Sequence, residues 1–246
     1  MTTGWTLKPD YQQLGADFGS LAQVFALEGE RITHDSESEL ICVERGGVLY
    51  YVKRYRSNGT AWRAWLPRPR VMAEWQNLQH FARWGIPTAE VVAFGMERKS
   101  WGRFGRGAMI TRELPHTEDL AMMAHLGDAR LQDASWVTAV ACQVADFTRV
   151  MHEHGFVHND LKWRNILVDR QPQAFLIDCP TGGFWWGPFL QYRIIKDLAC
   201  LDKVAKYQLS RTQRLRFYLR YRQQQQLTAQ DKQQIRRVVR FFAGRE

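Results

Sequence analysis

Hydrophobic and polar positions alternate through the stretch ELICVERGGVLYYVKRY, which is interrupted at its centre by Gly46 and Gly47. Alternation on both sides of a glycine pair is typical of a β-hairpin, because glycine takes the backbone angles of a tight turn. The pattern predicts two strands, the second of which ends on Lys53. Two later stretches, IPTAEVVAFGM and GAMITREL, are also predicted to be strands.

A helical period separates these two pairs of strands, in the stretch PRPRVMAEWQNLQHFARWG. Its apolar positions recur at spacings of three and four residues, at Val71, Trp75, Leu78 and Ala82. This spacing places apolar side chains on one face of a helix. Glu74 is expected at the edge of that apolar stripe.

The second half of the chain has mainly helical patterns. The stretch ASWVTAVACQVADFTRVMHEHG carries one apolar stripe, and helical spacing returns from about Gln191. Between them, the short apolar runs NILVD and AFLID are predicted to be strands joined by a turn at residues 171–173. The polar loop that carries the strongest chemical signal comes directly before the first of these runs.

The order of these elements indicates an α+β protein with two lobes. A small strand-rich lobe is expected over about residues 20–114, a polar connector over about 115–120 and a compact, mainly helical lobe over about 121–246. A chain of 246 residues fits this arrangement as a single domain. A cleft between the lobes is the expected ligand site.

The cysteines and the apolar segments of the sequence indicate the cellular compartment in which the protein works. The four cysteines are widely spread without a CxxC pair, so neither a disulfide framework nor a zinc site is indicated. The N-terminal stretch lacks the basic and apolar regions of a signal sequence, and no stretch reaches the roughly 18 apolar residues that span a bilayer. We therefore expect a cytosolic protein.

The net charge of +9 comes largely from the end of the chain. There, KVAKYQLSRTQRLRFYLRYRQ and DKQQIRRVVRFF place Arg and Lys among aromatic and aliphatic residues. Such a surface attracts polyanions, which include nucleic acid, anionic lipid and phosphorylated glycolipid. A solvated helical face has the same composition, and the sequence leaves the two interpretations open.

The strongest chemical signal lies in HGFVHNDLKWRNILVD. Asp160 can accept a proton from an attacking hydroxyl, Lys162 can neutralise a phosphoryl group, and Asn165 offers a neutral oxygen to a magnesium ion. Thirteen positions beyond Asn165, Asp178 ends the run AFLID and can present its carboxylate to the same metal. A base, a cation and two metal ligands together predict phosphoryl transfer.

These residues also match a known pattern. HNDLKWRN resembles the protein-kinase catalytic loop H-x-D-L-x-x-x-N, and LIDCP stands in the place of the Asp-Phe-Gly segment. More specifically, AEWQNLQHFARWGIPTAEVVAFG, HNDLKWRNILVD, FLIDCP and RIIKDLACL resemble the lipopolysaccharide kinase family, whose members phosphorylate heptose or Kdo sugars of the inner core. The resemblance covers roughly residues 25–210.

The resemblance implies a two-lobed protein-kinase-like fold that uses ATP and Mg²⁺. It assigns Lys53 to the phosphates of the nucleotide and Glu74 to an ion pair with that lysine. It places Glu113 and Leu114 where backbone groups meet the adenine ring. The implied acceptor is a glycolipid, the lipopolysaccharide core, and no nucleic acid partner is expected.

The basic C-terminal helices are accordingly expected to hold the enzyme against the anionic inner face of the cytoplasmic membrane. A need for a partner protein stays open.

Several departures separate this chain from regulated protein kinases. No G-x-G-x-x-G precedes Lys53, so RITHDSESEL is the candidate segment for covering the phosphates. Cys179 and Pro180 replace the Phe and Gly after the metal aspartate, and no A-P-E follows. Because Pro180 stiffens the backbone, a switching activation loop is disfavoured. A compact kinase that acts on a small molecule or a glycolipid fits better.

Other residues near this loop are given supporting roles. His158 is expected to shape the loop through a ring that bonds nearby backbone, and Asp197 to brace the loop's backbone. The aromatic side chains of TGGFWWGPF, residues 181–189, either stack on the acceptor sugar or fill space in the helical lobe. Trp163 and Arg164 have no kinase role and are candidates for recognising the acceptor.

Two alternative functions stay open on the sequence. One is a compact atypical protein kinase or small-molecule kinase. The other is a catalytically idle kinase-like protein that binds a nucleotide or a partner. The absent glycine motif favours the idle protein, whereas the joint presence of Lys53, the base and both metal ligands opposes it.

Overall fold

The computed structural model describes residues 2–34, 36–57, 68–99 and 102–244. The chain divides into two compact units, of which the first comprises Met1–His80 and Ala89–Leu114 and the second Phe81–Thr88 and Pro115–Glu246. The first unit is built on an antiparallel sheet, and helices predominate in the second. The α+β class predicted from the sequence is confirmed.

The first unit contains a six-stranded antiparallel sheet in the order β1-β5-β6-β4-β3-β2. The strands are β1 (Thr2–Leu7), β2 (Glu30–His34), β3 (Ser38–Arg45), β4 (Val48–Arg56), β5 (Val91–Arg98) and β6 (Phe104–Arg112). The predicted hairpin of β3 and β4 is confirmed, and Gly46 and Gly47 take φ angles of 60° and 75° at its turn. Because β4 continues to Arg56, Lys53 lies inside the strand rather than at its end.

Residues upstream of the predicted start of the small lobe also pack in this unit. They form β1, a 3₁₀ helix (Pro9–Leu14) and the short helix α1 (Gly15–Phe18), and the short helix α2 (Leu21–Ala26) follows. The indole nitrogen of Trp5 donates a hydrogen bond to the Phe18 carbonyl at 2.7 Å, and the Phe18 side chain is fully buried in the core of the sheet. The segment is therefore anchored, although its short alternation gave no strand prediction.

The candidate phosphate-covering segment RITHDSESEL adopts a hairpin. All of Arg31–His34 belongs to β2, and the chain returns as β3, which pairs with it. Asp35 lies outside the described residues. The described residues of the segment thus belong mostly to two paired strands rather than to an extended loop.

Helix α3 (Arg70–Arg83) forms where the sequence predicts it, but its buried face differs from the prediction. Its buried positions include Val71, Glu74, Leu78 and Phe81, whereas Ala82 is exposed. Glu74 therefore lies within the buried stripe rather than at its edge. The apolar pattern missed this position because a carboxylate is not counted as an apolar residue.

The second unit contains five helices among its described residues. They are α4 (Leu120–Leu126), α5 (Ala134–Glu153), α6 (Gly187–Gln208), α7 (Arg211–Arg222) and α8 (Ala229–Arg240). The predicted helix α5 is confirmed; the Asp133 side chain caps its N-terminus, and Gly155 has a φ angle of 69° just after its end. No helix in the described part of the chain is both long and apolar enough to cross a membrane.

Short strand pairs hold the loops of this unit. The strands are β7 (Glu118–Asp119), β8 (Phe156–Val157), β9 (Ile166–Val168), β10 (Ala174–Leu176) and β11 (Gly183–Phe184). The predicted pairing of NILVD with AFLID is confirmed, since β9 and β10 are antiparallel neighbours. The polar loop of the motif connects β8 to β9, and the segment that follows β10 returns as β11 to pair with β8.

Candidate active site

The loop between β8 and β9 is anchored by the fully buried carboxylate of Asp197 on α6. Asp197 Oδ2 accepts a hydrogen bond from the His158 backbone N–H at 2.7 Å, and Oδ1 accepts one from the Asn159 N–H at 2.9 Å. A buried carboxylate is costly without such donors, so both oxygens are directed at the loop. The prediction that Asp197 braces this backbone is confirmed.

A buried histidine supports this carboxylate from the opposite side. His152 Nε2 lies 3.5 Å from Asp197 Oδ2, and His152 Nδ1 lies 2.9 Å from the Tyr221 hydroxyl. Burial raises the pKa of Tyr221, so its hydroxyl keeps its proton. Helices α5, α6 and α7 thus each contribute one side chain to a polar chain that ends on the loop.

The carboxylate of Asp160 is held between two cations. Lys162 Nζ lies 2.5 Å from Asp160 Oδ1, and Arg164 Nη2 lies 3.3 Å from Oδ2. Partial burial raises the pKa of Asp160, but the hydrogen bond from Lys162 and the positive charges of Lys162 and Arg164 outweigh it and lower that pKa below its ordinary value. Asp160 is therefore ionised at neutral pH and can accept a hydrogen bond from a hydroxyl group.

The two predicted metal ligands are brought together by the pairing of β9 with β10. Asn165 is buried, and its Nδ2 donates to the Asp160 carbonyl at 2.8 Å, which leaves Oδ1 on the other side of the amide as an acceptor. The Ile177 N–H donates to the Asn165 carbonyl at 3.0 Å, so Asp178 follows directly after a residue bonded to Asn165. Asp178 has a φ angle of 56°, in the left-handed region.

This pair of side chains suits a hard cation. A carboxylate and an amide oxygen are ligands that Mg²⁺ accepts, and Mg²⁺ usually keeps several waters or phosphate oxygens in the remaining positions. No group of three or more His, Cys, Asp or Glu side chains in the described ranges could hold a metal by itself. The donor set fits a cation that is shared with a nucleotide.

His158 is held by packing rather than through its ring nitrogens. The side chain is fully buried, its ring stacks on Phe81 with centroids 6.1 Å apart, and neither ring nitrogen makes a well-formed hydrogen bond to a described residue. Burial lowers the pKa of His158 despite the nearby carboxylates, so the ring is neutral. His158 therefore shapes the loop mainly through its backbone and its volume, and the ring's contact with the Ile177 backbone falls short of a well-formed hydrogen bond.

In the first unit, Lys53 and Glu74 form the expected ion pair. Lys53 Nζ lies 3.1 Å from Glu74 Oε1, and the Tyr55 hydroxyl donates to Glu74 Oε2. Glu74 is only 3% exposed, so the lysine and the hydroxyl supply the partners that a buried carboxylate needs. This arrangement fixes the position of the Lys53 ammonium group on β4.

Glu113 follows β6 and is bonded to β4 through two groups. Its N–H donates to the Leu49 carbonyl at 3.0 Å, and its Oε1 accepts from the Leu49 N–H at 3.0 Å. The Glu113 N–H is therefore already used, and a contact with an adenine ring at this residue would have to use its carbonyl. Leu114, the next residue, is half-buried.

Trp163 is not a candidate for recognising the acceptor. Its side chain is buried, and its indole nitrogen donates to the Leu201 carbonyl on α6 at 3.0 Å. The short 3₁₀ turn Trp163–Asn165 directs the indole toward the helix, so Trp163 anchors the loop. The exposed Arg164 instead contacts Asp160.

The aromatic segment 181–189 is divided between the interior and the surface. Phe184 packs edge to face on Phe156 at 5.3 Å, and the Arg193 guanidinium lies over the Trp185 ring at 3.6 Å. Both rings therefore have a packing partner within the second unit, although the Phe184 side chain is still 46% exposed. The other two aromatic side chains of the segment are exposed.

Asn159 is a position whose part in the site the sequence did not reveal. Its φ angle is 66°, a conformation that Asn tolerates better than most residues. Asn159 Nδ2 donates to the Thr181 carbonyl at 2.8 Å, and Arg193 Nη1 donates to Asn159 Oδ1 at 2.7 Å. The residue directly before Asp160 is thus fixed to the segment that follows Asp178, the predicted metal ligand.

A model of the lipopolysaccharide kinase (Kdo/WaaP) family matches residues 21–238, which is well over half of the chain. The chain belongs to this family. The resemblance drawn from the motifs is thereby confirmed, and membership makes the protein a lipopolysaccharide kinase by family.

The chain is also similar to a solved structure described as WaaP in complex with acyl carrier protein. The two share 23% sequence identity with a TM-score of 0.72, over 98% of this chain and 94% of that chain. At this level of identity the similarity speaks for the fold, and the predicted kinase-like fold is confirmed. A search of curated proteins gave no match.

Proposed function

We propose that this protein transfers the γ-phosphoryl group of ATP to a hydroxyl of a heptose or Kdo-type sugar in the lipopolysaccharide inner core. The observation that carries the proposal is the arrangement of Asp160, Lys162 and Asn165 on one anchored loop, with Asp178 following the paired strand. The family match supports the acceptor class.

Asp160 would orient the attacking hydroxyl and receive its proton. Its depressed pKa makes it a weak base, which suits a loose phosphoryl-transfer transition state in which little proton transfer is needed early. Lys162, exposed beside Asp160, would exchange part of that ion pair for the oxygens of the transferred group. Positioning and charge stabilisation would therefore provide most of the rate enhancement.

Asn165 and Asp178 would hold Mg²⁺, which neutralises phosphate charge when bound. Lys53, fixed by Glu74, would bind phosphate oxygens of ATP. The carbonyl of Glu113 and the backbone of Leu114 are the proposed contacts of the adenine ring. Each of these roles places a group of matching charge or polarity against one part of the nucleotide.

The proposal is tested by incubating the purified protein with labelled ATP, Mg²⁺ and core oligosaccharide that lacks its phosphates. Transfer to the sugar is expected, and Asp160→Ala should lower the rate by about 10² to 10⁴ with little change in fold. Asp146→Asn, at a surface ion pair with Arg220, is the matched control. Near-normal transfer by Asp160→Ala would refute the catalytic assignment.

Acceptor identity needs a second measurement. Mass spectrometry of core oligosaccharide from cells with and without the protein should show the loss of one phosphate and would identify the sugar that carries it. Labelling of proteins or small metabolites in place of the oligosaccharide would favour the compact atypical kinase. Binding of nucleotide without any transfer would favour the idle protein.

A protein partner is also proposed, by comparison with the neighbour that was solved with acyl carrier protein. The second unit contains a cavity of about 520 Å³ with an apolar lining, to which Val140, Leu198, Leu201 and Tyr218 contribute. Its volume and lining suit an acyl chain. Co-purification with acyl carrier protein that is lost in Ala205→Phe, a substitution that fills the lining, would support this partner.

The site of action is proposed to be the inner face of the cytoplasmic membrane, because the acceptor is anchored in lipid. The exposed side chains of α8 include Lys232, Arg236, Arg237 and Arg240, which supply a positive surface for anionic headgroups.

A further inference from the structure

Three large aromatic side chains project into solvent at the beginning of α6. Trp186 is 78% exposed, Phe189 is 69% exposed and Tyr192 is 51% exposed. Isolated exposed apolar residues are common, but three aromatic rings within seven positions form a patch whose exposure costs free energy unless something covers it. Phe184 and Trp185 are not counted in this patch, because Phe184 packs on Phe156 and the Arg193 guanidinium covers Trp185.

The patch continues into the C-terminal end of α8. The Tyr192 and Phe241 rings lie 5.6 Å apart, and Phe241 is in edge contact with Phe242 at 5.0 Å. Lys203 Nζ lies 5.5 Å from the centre of the Phe242 ring. Three aromatic rings and one lysine therefore lie side by side where α6 meets the end of α8.

The spacing along α6 explains how this surface forms. Positions three and four residues apart lie on one face of a helix, and here they are Phe189, Tyr192, Lys196, Lys203 and Lys206, with the buried Ala199 between Lys196 and Lys203. The stripe is about 25 Å long at the helical rise per residue. Its first half is aromatic and its second half is basic.

A recess lies at the basic end of this stripe. Its volume is about 550 Å³, and its lining includes Lys203, Lys206 and Phe242. The acidic residue in the lining, Asp202, is bridged to Arg214 by two hydrogen bonds of 2.7 Å, so its charge is compensated. The recess can therefore accept an anionic group between the two lysines.

We infer that this aromatic–basic face, formed by Trp186, Phe189, Tyr192, Lys203, Lys206, Phe241 and Phe242, docks on an anionic membrane surface. Trp and Tyr partition to the interface of a bilayer, where one part of the ring meets acyl chains and the other meets headgroups. Lysines at the same level attract anionic lipids. The positive net charge of the chain adds a long-range attraction of the same sign.

This inference deepens the proposed site of action and rests on it for the choice of membrane. According to this inference, Trp186 and Phe189 contact lipid rather than the acceptor sugar. The two assignments differ in what they predict for a water-soluble acceptor, because only a sugar-stacking role would affect its KM.

The experiment compares the full chain with Trp186→Ser/Phe189→Ser in co-sedimentation with vesicles. The vesicles contain phosphatidylcholine alone or mixed with phosphatidylglycerol. Leu126→Ser is the matched control, since Leu126 is an equally exposed apolar residue (73%) on α4, outside the face. Lipids brominated near the headgroup should quench the tryptophan fluorescence of the wild type. They should quench that of Trp186→Phe less, because this variant lacks the tryptophan of the face.

Binding to the anionic vesicles is expected, with weakening by salt and a loss of about tenfold or more in the aromatic double variant. Leu126→Ser should bind like the wild type. Transfer to soluble core oligosaccharide should be unchanged in the double variant. If the vesicles bind and no transfer occurs with any variant, the proposed kinase function fails while the docking inference stands.

Three results would overturn the inference. One is equal vesicle binding by the wild type and the aromatic double variant. Another is a raised KM for soluble acceptor in the double variant, which would assign the rings to the sugar. The third is no vesicle binding by the wild type together with loss of acyl carrier protein binding in the variant, which would assign the face to a protein.

Discussion

Arg193 Nη1 donates a hydrogen bond of 2.7 Å to Asn159 Oδ1 and so connects α6 to the residue directly before Asp160. The Arg193 guanidinium also lies over Trp185 at 3.6 Å, which fixes its orientation. Asn159 in turn bonds to the Thr181 carbonyl. The segment after Asp178 and the residue directly before Asp160 are thereby held as one structure.

This connection predicts a specific effect of Asn159→Gly. Glycine keeps the positive φ angle without strain but removes both side-chain hydrogen bonds, so the backbone is preserved while the connection is lost. We expect kcat to fall by about ten- to a hundredfold, with an unchanged KM for ATP, because Asp160 is less well positioned. Steady-state kinetics with labelled ATP measure both constants.

Arg193→Ala completes a double-mutant cycle. If the two residues act together, the double variant should be no slower than either single variant. Arg149→Ala, which removes an exposed ion pair with Glu153, is the control for loss of a surface arginine. Additive losses in the cycle would contradict a shared positioning role.

The buried ion pair of Lys53 with Glu74 predicts that the effect of a mutation on stability can be separated from its effect on catalysis. Lys53→Met leaves the buried Glu74 carboxylate without its cation and should lower the free energy of unfolding by about 3 kcal/mol. Lys53→Met/Glu74→Gln should recover most of that stability but none of the activity. Lys8→Met, at the exposed pair with Glu90, should change stability by less than about 1 kcal/mol. Chemical denaturation and ATP kinetics give the two readouts.

The anchor of the catalytic loop predicts a strong effect of Asp197→Asn. An amide oxygen can accept from one of the two loop N–H groups, but the NH₂ group faces the other donor. We expect a loss of about 2–3 kcal/mol in the free energy of unfolding and a lower kcat. Asp202→Asn, on the same helix but at a partly exposed ion pair, should have a much smaller effect on kcat. Equal kcat values for the two variants would refute the anchoring role.

The lowered pKa of Asp160 predicts how kcat/KM depends on pH on the acid side of its profile. Because its folded-state pKa lies below the ordinary value, the carboxylate stays ionised, and its contribution to stability is present above the unfolded-state pKa and is lost as pH falls through the folded-state pKa. Lys162→Gln removes the main group that lowers it, so the acid limb of kcat/KM should move to higher pH. Arg170→Gln, an exposed arginine in the turn between β9 and β10, should leave the limb in place.

The sequence predicted the parts of the fold that depend on local patterns. The glycine pair between β3 and β4, the stripe of α5 and the pairing of NILVD with AFLID all formed as expected. Each depends on spacing or turn residues within about twenty positions of the chain. The family pattern in the loop was equally local, because the motif residues follow one another closely.

Features that depend on tertiary contacts were missed or misjudged. Strand β1 exists because it pairs with β5, which is distant in sequence. Glu74 is buried because Lys53 and Tyr55 from another strand satisfy it. Trp163 is turned inward by a carbonyl on α6, and no local pattern encodes that partner.

The two cations beside Asp160 also affect the reactivity of its carboxylate toward water while no acceptor is bound. A carboxylate already paired with Lys162 and Arg164 is a poor acceptor for a proton from water. An acceptor hydroxyl must compete with these two cations for the carboxylate. The rest of the acceptor molecule supplies binding energy for this competition, and a water molecule has no such energy. Under the proposed function, this pairing would protect the resting site against futile hydrolysis and would couple ATP turnover to the arrival of the sugar.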